Sequence, residues 1–233
     1  MTTAMTASLA RRFAATLVAA AATAACGGAT GSGAAAPPQP ASAEQGQAAA
    51  IARARADSAR YPYTAADVHF MSAMIHHHAQ AIAMSRLAPT HGADAAVIRL
   101  ADRIINAQQD EIATMQKWLG DRGQRVPEAT PGPMKMTMGG MEHEMLMPGM
   151  LTADEMKQLD EARGKEFDRR FLASMIRHHR GAVSMVQELF GTYGAAQDEI
   201  VFKFANDVNV DQTTEIARME RMLAALTLGI SAP

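Results

Sequence analysis

One cysteine, one tryptophan and three tyrosines in 233 residues leave little to build several familiar architectures from. A single cysteine excludes a disulfide framework within the chain, a Cys-x-x-Cys redox pair and any multi-cysteine zinc site. Aromatic residues are only 5% of the chain, and Ala, Met and Leu far outweigh the β-branched types, which argues against an all-β fold. Charge is also nearly balanced: 22 Lys plus Arg stand against 24 Asp plus Glu, a net charge of -2. Nothing in that balance draws the protein toward nucleic acid, and no nucleic-acid partner is expected. Glycine-rich phosphate loops, Gly-x-Ser-x-Gly and Glu-x-x-His are all missing. What is abundant is methionine, with 18 residues in a chain that is 48% hydrophobic.

The first 26 residues read as an export signal. Arg11 and Arg12 precede an uncharged apolar run from Phe13 to Ala25, too short to stay in a bilayer as a spanning helix. The run ends in Thr23-Ala24-Ala25-Cys26, similar to a bacterial lipobox with Thr in place of the usual Leu, so Cys26 is the candidate lipidation site. Cleavage into a soluble exported protein is the alternative, and an apolar start on a cytosolic protein is a third reading. The expected location is the periplasm or cell surface, with membrane attachment only through a lipid on Cys26. Removing residues 1–25 takes away two Arg and no acid, leaving 20 basic against 24 acidic residues and a net charge of -4. Residues 27–46 are Gly, Ala, Pro, Ser and Gln with one charge, a flexible tether.

Beyond the tether, two segments match. Asp67, Phe70, Met74, Ile75, His77, His78, Ala81 and Met84 correspond to Asp168, Phe171, Met175, Ile176, His178, His179, Ala182 and Met185 at a constant offset of 101. Gln108, Glu111, Ile112, Met115 and Leu119 correspond to Gln212, Glu215, Ile216, Met219 and Leu223 at an offset of 104. A duplicated helix pair explains both. Thr64 with Asp67 resembles a capping box, and apolar residues then recur at three-and-four spacing until Pro89. The expected organisation is an accessory helix over 47–61, a first hairpin over 62–120, a Met-rich loop over 121–151 and a second hairpin over 152–229. The second unit opens at Thr152 either as one helix to about residue 190 or as two broken near Gly164. Two hairpins with short turns predict an all-α, antiparallel four-helix bundle.

The candidate chemistry lies on the repeated faces and in the loop. Met74, His77 and His78 share one helix face, with Asp67 and Met84 close to it, and Met175, His178, His179, Asp168 and Met185 repeat the pattern. Imidazole and thioether together suit Cu(I) or Ag(I), and Cu(II) through nitrogen. The competing reading makes the methionines core filler and the histidines caps for buried carbonyls or carboxylates. Gln108, Glu111, Gln212 and Glu215 are candidate outer partners of metal-bound histidine, or simply a polar helix face. In the loop, Met134, Met136, Met138, Met141, Met145, Met147 and Met150 surround His143. With Gly139, Gly140, Pro148 and Gly149 this stretch is a poor helix. Mobile thioethers there could wrap a soft monovalent ion in an oxidising compartment where thiolates would form disulfides. A hydrophobic docking surface is the alternative. His69 and His91, unmatched in the repeat, are expected on the surface.

The pattern Asp-x-x-Phe-x-x-x-Met-Ile-x-His-His-x-x-Ala-x-x-Met, followed by Gln-x-x-Glu-Ile-x-x-Met, resembles the bacterial domain-of-unknown-function 305 family. The resemblance covers about residues 62–226, and the stretch from Pro148 to Met185 is particularly similar. It implies a ferritin-like bundle and a role like that of CopM-type exported proteins, which bind copper and silver and help cells tolerate them. Met74, His77, His78, Met175, His178, His179 and the Met-rich loop would then carry metal. The halves differ at His76, which matches Arg177, so they need not bind alike. The expected function is therefore binding of Cu(I), and of Ag(I), for buffering, transfer or tolerance, with envelope copper-handling proteins as partners and self-association left open. Two rivals stand beside it: a ferritin-like metal oxidase using the histidines with Asp67, Asp168, Glu111 and Glu215, and a metal-free envelope interaction module.

Overall fold

The computed structural model describes residues 43–60, 62–138 and 141–230. The signal segment, Cys26 and all of the tether before residue 43 lie outside the described residues. Six α-helices dominate: α1 (Ala43–Arg60), α2 (Ala65–Ser85), α3 (Ala95–Asp121), α4 (Ala153–Glu161), α5 (Gly164–Gly191) and α6 (Glu199–Leu228). Two short antiparallel strands, β1 (Met134–Met138) and β2 (Met141–Met145), add a small sheet to the expected helices. Its register pairs Met134 with Met145, Met136 with His143 and Met138 with Met141. Among the described residues no helix is long and apolar enough to cross a membrane.

The helix starts follow local capping chemistry. Thr64 caps α2 and Thr152 caps α4, each in a full capping box with Asp67 or Glu155 three residues on. Asp94 and Asp198 cap α3 and α6, accepting backbone N–H groups of the first turn. Pro89 turns the chain after α2 into a single 3-10 turn, Ala88–Thr90. The break in the second unit falls at Ala162–Arg163, where Ala162 is extended and separates α4 from α5.

α2 packs along α3, α5 along α6, and α2 against α5. The last pair is antiparallel, because each start meets the other's end through one carboxylate. Asp67, at the start of α2, accepts the N–H of Ala196 after α5 (2.7 Å). Asp168, near the start of α5, accepts the N–H of Asp94 after α2 (3.1 Å). Ala196 has a φ of 54°, a left-handed conformation costly for a residue with a Cβ, and the bond from Asp67 holds it there. A third latch closes α3 onto α6: Asp198 accepts Trp118 Nε1–H (3.0 Å) and pairs with buried Arg122 (2.5 Å), whose guanidinium lies 4.5 Å from the Trp118 ring.

The buried apolar side chains form two clusters. One gathers Phe70, Met74, Ile75, Met115, Trp118, Met185, Val186 and Phe204. The other gathers Met84, Leu100, Ile104, Phe167, Phe171, Met175, Met219 and Met222. Each long helix also buries polar side chains near the junction of the two clusters: His77 and His78 on α2, Gln108 on α3, His178 and His179 on α5, Gln212 on α6.

Candidate functional site

This polar layer is buried. His77, His78, His178 and His179 are wholly inaccessible, and Gln108 and Gln212 are each 3% exposed. The i, i+3, i+4 spacing of Met74, His77 and His78 turns both histidines inward, and the matching stretch of α5 does the same. Across the α2–α5 contact the His77 and His178 rings lie with centroids 3.8 Å apart and planes inclined by 40°.

Two of the four rings spend one nitrogen on an outer acceptor, and a third has a carboxylate beside it. His77 Nε2–H donates to the Pro148 carbonyl (3.0 Å), and His179 Nε2–H donates to Glu215 (2.8 Å). His78 Nε2 lies 2.7 Å from Glu111 Oε2, in contact but off the line of a hydrogen bond. The Nδ1 atoms of all three rings have no hydrogen-bond partner among the described residues, and neither has either nitrogen of His178. Gln108 Oε1 and both amide atoms of Gln212 are also unpaired. Among the described residues twelve buried side-chain polar atoms have no partner, and nine of them belong to this layer. Such atoms are costly singly, so their concentration at one level marks a place where water or an ion would supply the missing bonds.

Burial keeps His77 and His178 neutral. Burial, reinforced by the nearby His78 and His179 and opposed by the Pro148 carbonyl, lowers His77 to about 3. Burial first, then His77, His179 and His78, holds His178 well below the usual histidine range. A neutral His77 with its outer N–H donated to the Pro148 carbonyl is in the form that ligates metal through Nδ1. Asp211 on α6 is pushed upward by burial and then by Glu111, Asp207 and Glu215, which places several acidic groups where α3 and α6 face each other. Among the described residues no three His, Cys, Asp or Glu side chains stand close enough together to form a metal cage.

The long segment between α3 and α4 is fixed over this layer. His76 Nδ1 meets Thr130 (3.1 Å to Oγ1), and Gln80 clamps Leu151 both ways, Nε2–H to its carbonyl (2.9 Å) and Oε1 from its N–H (2.6 Å). A Cβ on Gly181 would stand 1.8 Å from the Pro148 carbonyl oxygen, so glycine is required for the segment to seat beside His178. Gly149, at φ 77°, is also crowded: a Cβ there would stand 2.4 Å from the Arg177 carbonyl oxygen. Arg177 itself binds Glu155 of α4 (2.6 Å), lowering that carboxyl to about 2, mainly through the hydrogen bond. His76 and Arg177, the mismatch between the halves, are thus both spent on holding chain segments.

Several expectations change. Asp67 and Asp168 serve backbone N–H groups and not the histidines; the carboxylate pattern is that of a cap and a latch. Asp168 is raised by burial despite the Asp94 N–H it accepts. His91 is buried, its Nε2 on Asp160 (3.0 Å), whereas His69 is exposed as expected. The Met-rich stretch is not a uniformly mobile loop. Met134, Met147 and Met150 are buried in the cluster that holds Met74 and Met185, because apolar side chains over a helix pair gain more from burial than from solvent. Met141 and Met145 remain exposed, as does His143 on β2. Met136 and Met138 lie in β1, and their side chains are outside the description. Met84 and Met175 share the opposite apolar cluster, so the four helix methionines flank the imidazoles in two pairs, Met74 with Met185 and Met84 with Met175. Gln80, Gly181 and Asp211 escaped the sequence reading. A glycine inside an otherwise regular helix was the visible signal for the second.

The comparisons with known proteins fit this architecture. A secreted-type DUF305 protein from Streptomyces coelicolor is 31% identical, with a TM-score of 0.58 over 72% of this chain and 96% of its own. CopM in its Cu(II)-bound form is 28% identical, with a TM-score of 0.52 over 68% of this chain and 95% of its own. CopM in its Cu(I)-bound form, also 28% identical, aligns at 0.50 over 66% and 92%. No curated protein matches the chain. The sequence model of the family described as domain of unknown function (DUF305) matches residues 67–223, and the chain belongs to that family.

Proposed function

We propose that this is an exported Cu(I)-binding protein, lipid-anchored at Cys26, that buffers or transfers copper and contributes to copper and silver tolerance. In this reading α2, α3, α5 and α6 form a ferritin-like antiparallel four-helix bundle, and the Met-rich hairpin captures the ion outside it. Envelope copper-handling proteins are the partners, and Ag(I) and Cu(II) are further ions the donors accept. The observation that carries the reading is the buried layer of four histidines with unpaired ring nitrogens, three of them set against Pro148, Glu111 or Glu215. Nitrogen donors flanked by the thioethers of Met74, Met185, Met84 and Met175 suit a soft ion of low coordination number, which needs no cage of three hard ligands. Similarity to CopM solved with Cu(I) and Cu(II), and to a secreted-type relative, supports the metal and the export.

The test is an anaerobic Cu(I) titration of residues 27–233 against a competing chromogenic chelator. Binding of one or more equivalents is expected, and removal of part of it by His178→Ala with His179→Ala. No binding above the chelator's competition would end the copper reading.

One feature favours a second reading, a metal oxidase: each half sets a carboxylate, Glu111 or Glu215, against a buried histidine. Oxygen consumption on adding Cu(I) or Fe(II) would support it. Asp67 and Asp168, committed to backbone N–H groups, would not be its ligands.

A further inference from the structure

A cleft of about 360 Å³ opens where the end of β2 meets the early turns of α2 and the last turns of α5. Its walls include His69, Met145, Met147, Met185, Pro148 and Glu188. Apart from Met185, which also borders the buried layer, this donor set is separate: one imidazole, three thioethers and one carboxylate, with no competing thiol. His69 and Glu188 are exposed at the rim, whereas Met147 and Met185 are nearly covered. Phe70 and Leu189 supply an apolar back wall.

We propose that this cleft is a binding site for one soft monovalent ion, Cu(I) or Ag(I), held by the His69 imidazole and the Met145, Met147 and Met185 thioethers. The inference rests on the copper reading and gives it a place on the surface. Soft thioethers select a monovalent soft ion, and a dry apolar wall disfavours a strongly hydrated divalent one. The cleft is larger than an ion, but methionine has three rotatable bonds, and Met145, 42% exposed, is free to fold over the ion. Glu188 at the rim adds a negative charge that favours a cation.

Two further facts single out this cleft. Pro148 forms part of its wall, and the same residue's carbonyl braces His77, so the site adjoins the histidine layer. The site also belongs to one end of the molecule. The position matching His69 in the second half is Arg170, which is paired with Glu166 (2.7 Å), and the position matching Met185 in the first half is Met84, fully buried. The repeat pattern therefore passes over His69, whose matching position carries no donor free for a metal, and Met145 and Met147 lie between the two units.

The experiment uses the full folded chain with ¹³C-labelled methionine methyl groups, titrated with silver nitrate as a redox-inert probe. The Met145, Met147 and Met185 methyl signals should move together with the first equivalent. Two variants accompany it: His69→Gln alone, at an exposed position that leaves the core untouched, and His69→Gln with Met145→Leu, Met147→Leu and Met185→Leu. Each should weaken the first equivalent by at least the roughly ten-fold that loss of even an outer partner costs a metal site. If Ag(I) binds but these methyls stay still and His69→Gln changes nothing, the cleft site is wrong and the copper reading stands. If the unmodified chain binds neither Ag(I) nor Cu(I), both fall.

Discussion

Gly181 lies directly beneath Pro148, close enough that a single added methyl group would overlap the Pro148 carbonyl. That contact seats the segment between α3 and α4 on α5, and it delivers to His77 the carbonyl that accepts its Nε2–H. Gly181→Ala must lift the segment or bend α5. The expected loss is about 1–3 kcal/mol, as for other overpacked sites. The Leu151 amide, bound to Gln80, should exchange faster with deuterium as the segment loosens. An unchanged melting temperature would mean that the segment does not rest on α5.

The two crossed latches give a second test. Asp67→Ala removes the acceptor for Ala196 N–H and the capping box with Thr64, so it should cost about 1–3 kcal/mol. Part of the effect depends on the left-handed Ala196. Placing glycine there relieves the Cβ strain, so Ala196→Gly alone should be neutral or stabilising, and in the Asp67→Ala background it should restore part of the loss. A double-mutant cycle by urea denaturation reads the coupling. Strict additivity would deny that Asp67 holds this turn.

Much of this was legible in the residues before any fold was known. The helix starts at Thr64 and Thr152 follow from capping chemistry, and the inward histidines from i, i+3, i+4 spacing, because both are local rules. What spacing leaves open is the partner. Asp67 shares a helix with the histidines and looks like their support, yet its carboxylate turns to Ala196, 129 residues away. Gln80 and Gly181 act on chain segments far along the sequence, so no window around them shows their roles. The hairpin is hidden for a different reason. Met-x-Met-x-Met around Gly139-Gly140 is both a thioether wrap and an alternating strand pattern with a turn signal, and the second reading was as available as the first.

Acid should weaken the metal-free protein through the buried imidazoles. His77 falls from an ordinary 6.5 when unfolded to about 3 when folded, so below 6.5 the unfolded chain binds the proton that the native state refuses. Stability from this group is fully present above 6.5 and declines as pH falls toward 3. Between pH 7 and pH 5 His77 alone should remove about 2 kcal/mol. His178, lowered by the same burial, acts in the same direction. Urea midpoints measured with a chelator present at pH 7, 6 and 5 check this, and His77→Gln should flatten the dependence. A flat profile in the unmodified protein would show that the layer is hydrated enough to accept protons.

Gln212 separates a layer kept for binding from one kept for stability. Its amide is 3% exposed, and neither the oxygen nor the nitrogen has a hydrogen-bond partner among the described residues. Methionine has nearly the same length and shape without the polar atoms. Gln212→Met should therefore stabilise the metal-free protein by about 1–3 kcal/mol, the cost of leaving such groups unpaired. Proteins retain destabilising groups at functional sites more readily than elsewhere, so the gain should come with altered copper affinity in the chelator competition. A loss of stability would mean instead that water already satisfies the amide, and the layer would then be a hydrated seam between two apolar clusters. A gain in stability with copper binding unchanged would move the ion out of the histidine layer and toward the methionines outside it.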